Sequence, residues 1–283
     1  MTTENKLLIV DEISCSFKKQ KDDALSDEFN LEPVSFNISI SDTIGLVGES
    51  GSGKTTLGRI ITGALRSLNS RTRQISITGN VIFCPNQDYT DPKIRKNLNY
   101  PVQMIYQDPK MALNEFMQVR QQVAEAATVG YERIKSSLTK DAWINKEVDD
   151  LLNIMMLSEI DEHHPIIMSG GQVRRLGVAR VLATQPTIII ADEPTASLDA
   201  STKNMVLNYL QKYAEKRIAK GEPVGTIIIS HDLETISRYC DKVLVMKKGR
   251  LLEVINRDST GELLPKEQYT IKLWEDNAFF SPA

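Results

Sequence analysis

One short stretch constrains this chain more than any other feature. Gly48-Glu49-Ser50-Gly51-Ser52-Gly53-Lys54-Thr55 satisfies the pattern G-x-x-x-x-G-K-[ST]. It follows a run of strand character at residues 43–47 and precedes a helical pattern at residues 55–65, the setting in which such a match carries physical content. Glycines let the backbone curl until successive N–H groups point at one phosphate chain, where side chains would block the approach. The N-terminus of the following helix adds partial positive charge. Lys54 supplies a full charge for β- and γ-phosphates, and Thr55 offers a hydroxyl to Mg²⁺. A chance Gly/Ser loop would have to reproduce every fixed position and both flanks.

The same alternation of strand and helix runs through the rest of the chain, which places it in the α/β class. Strand character recurs at residues 7–13, 34–40, 187–191, 225–230 and 243–246. Helical patterns recur at 117–129, 149–156, 171–184, 201–220 and 232–240. Residues 71–83 read as a β-hairpin turning at Thr78-Gly79-Asn80. The charged residues 18–28 read as a solvated hairpin loop, and the polar residues 85–100 as an irregular surface excursion. Residues 108–168 carry no strand signal and are expected to form an α-helical subdomain inserted in the sheet domain. Residues 251–283 form a short C-terminal tail, and no internal repeat divides residues 1–283, which read as a single domain.

Composition excludes several classes. Acidic residues number 37 and basic residues 34, so the net charge of −3 rules out binding to nucleic acid by bulk charge. No apolar run approaches the ~18–20 residues of a membrane span, and the apolar stretch at residues 7–10 is too short for a secretory signal. Three cysteines, Cys15, Cys84 and Cys240, stand far apart with no C-x-x-C spacing, which argues for reduced thiols rather than a disulfide framework or zinc site. The expectation is a soluble intracellular protein that acts at a membrane only through a partner.

Two further motifs join the phosphate loop. Ile188-Ile189-Ile190-Ala191-Asp192-Glu193 is an apolar strand ending in two acids. Such a strand delivers Asp192 to its C-terminal edge, where it can enter a Mg²⁺ shell, and Glu193 can orient attacking water. The alternative is a strand that ends in solvated acids. Met168-Ser169-Gly170-Gly171-Gln172 opens a helical pattern; it is either a second anion site at a helix N-terminus or an N-cap made by Ser169. The adjacent His163 and His164 lack other ligands nearby and read as connector residues.

In this order the residues resemble the nucleotide-binding subunit of ATP-binding cassette (ABC) transporters, over roughly residues 7–255. Residues 48–55, with Thr56 beside them, look like Walker A; residues 188–193 look like Walker B with its catalytic glutamate. Residues 168–172 resemble the signature, Gln107 the Q-loop glutamine, Ser197-Leu198-Asp199 the D-loop, and His231 the switch histidine. Phe17 stands where the family places an adenine-stacking aromatic, with core packing as the alternative role; His231 could instead cap the helix that follows it.

The resemblance implies a P-loop NTPase (RecA-like) core, an antiparallel β subdomain and an inserted α-helical subdomain. It implies Mg²⁺ held by Thr55, Gln107 and Asp192, with Glu193 and His231 as catalytic residues. ATP would be bound by residues 48–56, Phe17, Gln107 and Asp199, and by Ser169, Gly170, Gly171 and Gln172 of a head-to-tail partner.

Finer features, among them the Glu-Ser filling of the phosphate loop and Gln103-Met104-Ile105-Tyr106-Gln107-Asp108-Pro109, are similar to the peptide/nickel importer branch, which takes up peptides, nickel or metal chelates. Gln268-Tyr269-Thr270-Ile271-Lys272-Leu273 echoes a C-terminal segment of that branch. Met168 and Val173-Arg174-Arg175 depart from the usual pattern in and after the signature. The implied partners are a second ABC ATPase subunit, like or unlike this one, two integral membrane permease subunits and, indirectly, an extracytoplasmic substrate-binding protein, with no nucleic acid. The implied location is peripheral, on the cytoplasmic face of the inner or plasma membrane. The rival readings are a soluble ABC-type ATPase uncoupled from transport, as in cluster assembly, and a DNA-repair or translation ABC protein. The last is disfavoured by one cassette and no sustained heptads.

Overall fold

The computed structural model describes residues 5–18, 29–67, 74–84, 87–134, 136–196 and 198–276. Most of the expected loop at residues 18–28, and Ser197, lie outside the described residues. In chain order the strands are β1 (Lys6–Lys18), β2 (Asn30–Ser39), β3 (Thr43–Val47), β4 (Gln74–Phe83), β5 (Gln87–Asp88), β6 (Val102–Ile105), β7 (Ile188–Asp192), β8 (Gly225–Ile229), β9 (Lys242–Lys247) and β10 (Arg250–Asn256). The helices are α1 (Lys54–Ile61), α2 (Ala64–Ser67), α3 (Pro92–Asn97), α4 (Val119–Tyr131), α5 (Lys140–Ile154), α6 (Gly170–Ala183), α7 (Ala200–Ile218), α8 (Leu233–Tyr239) and α9 (Gln268–Asp276). The chain divides into two compact units, residues 1–95 with 225–283, and residues 96–224.

The first unit holds two sheets. One is antiparallel, in the order β2-β1-β4-β5. The other runs β10-β9-β3-β8, with β3 parallel to both β8 and β9 and β10 antiparallel to β9. β3 is apolar because it is central: Ile44, Leu46 and Val47 are buried against neighbours on both sides. Gly45 is required there by close packing, since a Cβ would sit 2.8 Å from Ile236 of α8. The β9–β10 turn at Lys248-Gly249 has positive φ at both residues, as a tight hairpin needs. The turn also reaches the antiparallel sheet, where Glu32 N donates to the Gly249 carbonyl at 2.8 Å.

Three expectations change in this unit. Thr78-Gly79-Asn80 is no hairpin turn: β4 is one continuous strand against β1. Gly79, at φ +78°, faces a register shift between Asp11 and Ser14, and a Cβ on it would lie 2.2 Å from the Glu12 carbonyl. The glycine marks a bulge and a close backbone approach, which from sequence alone looks the same as a turn. The helical pattern at 55–65 breaks into α1 and α2 at Gly63. The segment expected as an irregular excursion contributes β5 and α3, and it is anchored by two buried side chains, Tyr89 and Arg95. Arg95 donates to the carbonyls of Tyr89 and Thr90 at 2.9 and 2.8 Å, so its charge is taken up by backbone and is invisible to a hydropathy reading.

The second unit pairs β6 and β7 in parallel, with Val102 opposite Ile188 and Ile105 opposite Ala191. β6 falls outside the strand pattern of the sequence; it has only four residues and one polar side chain, too short for a strand signal. Helices α4, α5, α6 and α7 pack a core that includes Val123, Trp143, Leu151, Leu176, Leu182 and Leu210. Thr139 caps α5 by accepting from Ala142 N. Cys15 and Cys240 are buried and all three cysteines are unpaired. Burial raises the Cys15 thiol to about 11, as expected of inert structural thiols.

Candidate functional site

In the first unit, β3 ends at Val47 and the phosphate loop begins. Gly48 has φ +145°, and a Cβ there would sit 2.0 Å from the Met246 carbonyl of β9. Only glycine fits so close to a neighbouring backbone. The loop is tied at its far end by Gly249 N donating to the Ser52 carbonyl at 3.0 Å. Ser52 is buried, while Glu49, Ser50 and Gly51 are exposed. Gly53, left-handed, is the N-cap of α1 and provides no side-chain cap. The Lys54 ammonium curls over the loop, donating to the carbonyls of Gly48 and Glu49 at 2.8 Å each and to Ser52 Oγ at 3.3 Å. Its charge is therefore held over the concave side of the loop, beside Thr55 and Thr56 in the first turn of α1. A loop shaped by missing Cβ atoms, with an ammonium across it and an uncapped helix end below, fits a chain of phosphates.

The unit adds aromatic rings to the loop. Phe17, on β1, lies with its ring centroid 6.1 Å from that of Phe29, tilted by 54°. A Cβ on Gly53 would meet the Phe29 ring at 2.7 Å, so Phe29 is the ring that rests on the phosphate loop. The sequence motifs point only to Phe17; an aromatic just ahead of β2 is the available signal for Phe29. Tyr269 of α9 is the second omission. The Lys247 ammonium sits 4.0 Å from its ring centroid. Burial raises the Tyr269 hydroxyl above its ordinary range; the Glu49 backbone opposes that rise and the Glu49 carboxylate adds to it. The tail helix thus reaches the phosphate loop.

His231 follows β8, whose Ile229 pairs with Leu46 of β3, so His231 and the loop leave the sheet at the same edge. The residue that caps α8 is Asp232, which accepts from Thr235 N at 3.1 Å, and Ser230 Oγ accepts from Asp232 N at 3.0 Å. His231 is not the cap; its side chain is exposed.

The second unit gathers the remaining motif residues. β7 is buried throughout and ends at Asp192, only 2% exposed. Glu193 follows with φ +47°, an uncommon left-handed conformation for a side chain of this size. Gln107 comes two residues after β6, so it emerges beside these acids from the adjacent parallel strand. At the start of α6, Ser169 and Gln172 form a full capping box: Gln172 N donates to Ser169 Oγ at 3.3 Å, and Ser169 N donates to Gln172 Oε1 at 2.8 Å. The capping reading of Ser169 is therefore realised, and a hydroxyl that accepts there can still donate elsewhere. Around Gly170 a Cβ would meet no atom within 4 Å, so this helix end is open. Asp199 caps α7; hydrogen bonds from the Thr202 side chain and backbone hold its carboxyl below the usual range.

The donor set implied for a metal is Thr55, of the first unit, with Gln107 and Asp192, of the second. It is all oxygen, with one carboxylate, which suits Mg²⁺ bound partly through phosphates. Among the described residues no group of three or more His, Cys, Asp or Glu could form an all-protein cage. Among them, too, no helix is long and apolar enough to cross a membrane.

The family model described as ABC transporter matches residues 31–196. The chain is 36% identical over 261 residues to the oligopeptide transport ATP-binding protein OppF of Streptococcus mutans, covering 90% of this chain and 77% of that protein. It is 35% identical to the dipeptide transport ATP-binding protein DppF of Lactococcus lactis subsp. cremoris, covering 90% and 76%. Among solved structures it resembles a dimeric post-hydrolysis state of the ATP-binding cassette MJ0796 bound to ADP and Pi, with TM-score 0.70, 21% identity, and 88% and 98% coverage. It also resembles cbiO1 of Clostridium perfringens, part of the ABC transporter complex cbiONQ, with TM-score 0.64, 26% identity and 89% coverage of each chain.

Proposed function

From the premise that this chain belongs to the ABC transporter family and is an ATP-binding, ATP-hydrolysing subunit, we propose that it powers uptake of oligopeptides or dipeptides through separate membrane subunits. The observation that carries the reading is the phosphate loop, whose Gly48 backbone has no space for a side chain and whose Lys54 ammonium spans it. Relatives named for peptide transport favour this over an ATPase uncoupled from transport.

In this reading residues 48–56 grip the phosphates through backbone amides, the Lys54 ammonium and the α1 N-terminus. Phe17 stacks on the base, with the Phe29 ring packed against it. Thr55, Gln107 and Asp192 would hold Mg²⁺, which would supply positive charge against the phosphates. Glu193 orients a water and receives its proton, while His231 contacts the terminal phosphate. Ser169 to Gln172, with Asp199 nearby, serve the site of a second cassette, copy or unlike subunit, in a head-to-tail pair. ATP would favour the closed pair by binding it better than the open one.

Two integral membrane subunits dock near Gln107, and an extracytoplasmic binding protein delivers the peptide. The chain stands peripherally on the cytoplasmic face. Exposed Phe116, Ile166 and Ile167, beside a cleft lined by Leu113, Pro165 and Met168, support docking on the second unit.

Reconstitution with the companion subunits in vesicles tests the proposal. Uptake of labelled di- to pentapeptides should require internal ATP. ATP turnover that no peptide stimulates, with no peptide uptake, would sink the peptide assignment.

A further inference from the structure

Helix α6 holds the segment after β6 through one face. Arg174 Nη2 donates to the Gln107 carbonyl at 2.8 Å. Three residues on, Gly177 lets Pro109 lie against the helix, since a Cβ there would be 2.8 Å from the Pro109 ring. Three further on, Arg180 Nη1 donates to the Ala112 carbonyl. Positions 174, 177 and 180 share a helix face, so the Q-loop segment rides on α6. Arg174 alone does something more. Its other nitrogen, Nη1, donates to the carbonyl of Glu193 at 2.9 Å.

We propose that Arg174 is a positioning residue for hydrolysis: one guanidinium holds the Glu193 peptide in the orientation that aims the Glu193 carboxylate, and sets that orientation by the place of the Q-loop segment. Three observations support it. Glu193 is left-handed at φ +47°, a conformation that persists only where its surroundings hold it. The two carbonyls belong to loops that leave adjacent parallel strands. Arg174 is half-buried, and the negative charge of Glu193 and Asp108 faces it while burial opposes its own charge. A planar fork can satisfy two carbonyls at once, which the single ammonium of lysine cannot do with the same geometry.

The inference rests on Glu193 acting on the attacking water, and the experiment separates the two. Steady-state ATP hydrolysis is measured for the chain assembled with its companion subunits, as wild type, Arg174→Ala, Arg174→Lys and Glu193→Gln. Arg174→Ala should lower kcat about 10- to 100-fold while the KM for ATP changes less than about threefold, because a charge-assisted bond to the reacting segment is lost and the phosphate loop is untouched. Arg174→Lys should fall between. Added methylguanidinium should raise the rate of Arg174→Ala and leave wild type unchanged.

Wild-type kcat in Arg174→Ala, with Glu193→Gln inactive, overturns the positioning role alone. So does a loss that neither lysine nor methylguanidinium relieves and that follows a lowered melting temperature. Rapid turnover by Glu193→Gln overturns the reading of Glu193 beneath it. Should Arg174→Ala not fold, Arg174→Lys carries the same kcat-against-KM comparison.

Discussion

Helices α1 and α6 both begin at sites proposed to meet phosphate, yet their N-termini are built in opposite ways. The α1 end has a left-handed glycine as N-cap and no side-chain cap, and its loop is shaped by backbone contacts to β9 and to Gly249. The α6 end closes on itself through the Ser169–Gln172 capping box and faces open space at Gly170. A helix end whose N-cap is a glycine has no cap hydroxyl or carboxylate standing in front of it, so an anion can approach its N–H groups. One already capped is stable by itself and can be presented to a second molecule. The difference accords with a loop that grips ATP from its own subunit and a signature that meets the ATP of another.

Substitutions at four positions would sharpen or break that contrast. Lys54→Ala removes the ammonium across the loop and should cut hydrolysis on the order of a thousandfold, with nucleotide affinity lost as well. Equilibrium binding of a fluorescent ATP analogue, unchanged from wild type, would contradict the grip. Glu193→Gln should lower hydrolysis by about 100-fold or more yet leave ATP binding intact and favour a closed pair on gel filtration. A monomeric, fully active variant would refute its role. Gly48→Ala forces a Cβ onto a carbonyl and should cost about 3 kcal/mol in chemical denaturation. Wild-type stability would show that the loop has room after all. The smallest effect separates cap from contact: Ser169→Ala should destabilise by about 1 kcal/mol and Ser169→Gly by a few tenths. If both nonetheless lose hydrolysis alike in the assembled complex, the hydroxyl serves the neighbouring site; if activity follows stability, Ser169 is only a cap.

Much of this site was legible because its chemistry is local. Gly48 to Thr55, the apolar run into Asp192 and Glu193, and Ser169 to Gln172 are contiguous residues, so each stands out as a candidate from the order of the chain. Legibility failed where one residue type answers to two structures. Gly79 looks like a turn and is a bulge. Arg95 looks solvated and is buried on two carbonyls. Phe29 carries no motif that marks it, yet its ring lies against Gly53 of the loop. β6 was missed because four residues carry too weak a period.

By itself, then, the amino-acid order determined which backbone is free to curl around phosphate, which strand ends in acids and which helices carry their own caps. These follow from torsional freedom and charge within a few neighbouring residues. Only the tertiary structure decided which carbonyls the guanidiniums of Arg95, Arg174 and Arg180 would reach, and that Met246 and Gly249 would brace the phosphate loop. A hydrogen bond depends on position to within tenths of an ångström, and the positions of groups far apart in sequence are set by packing of the whole unit.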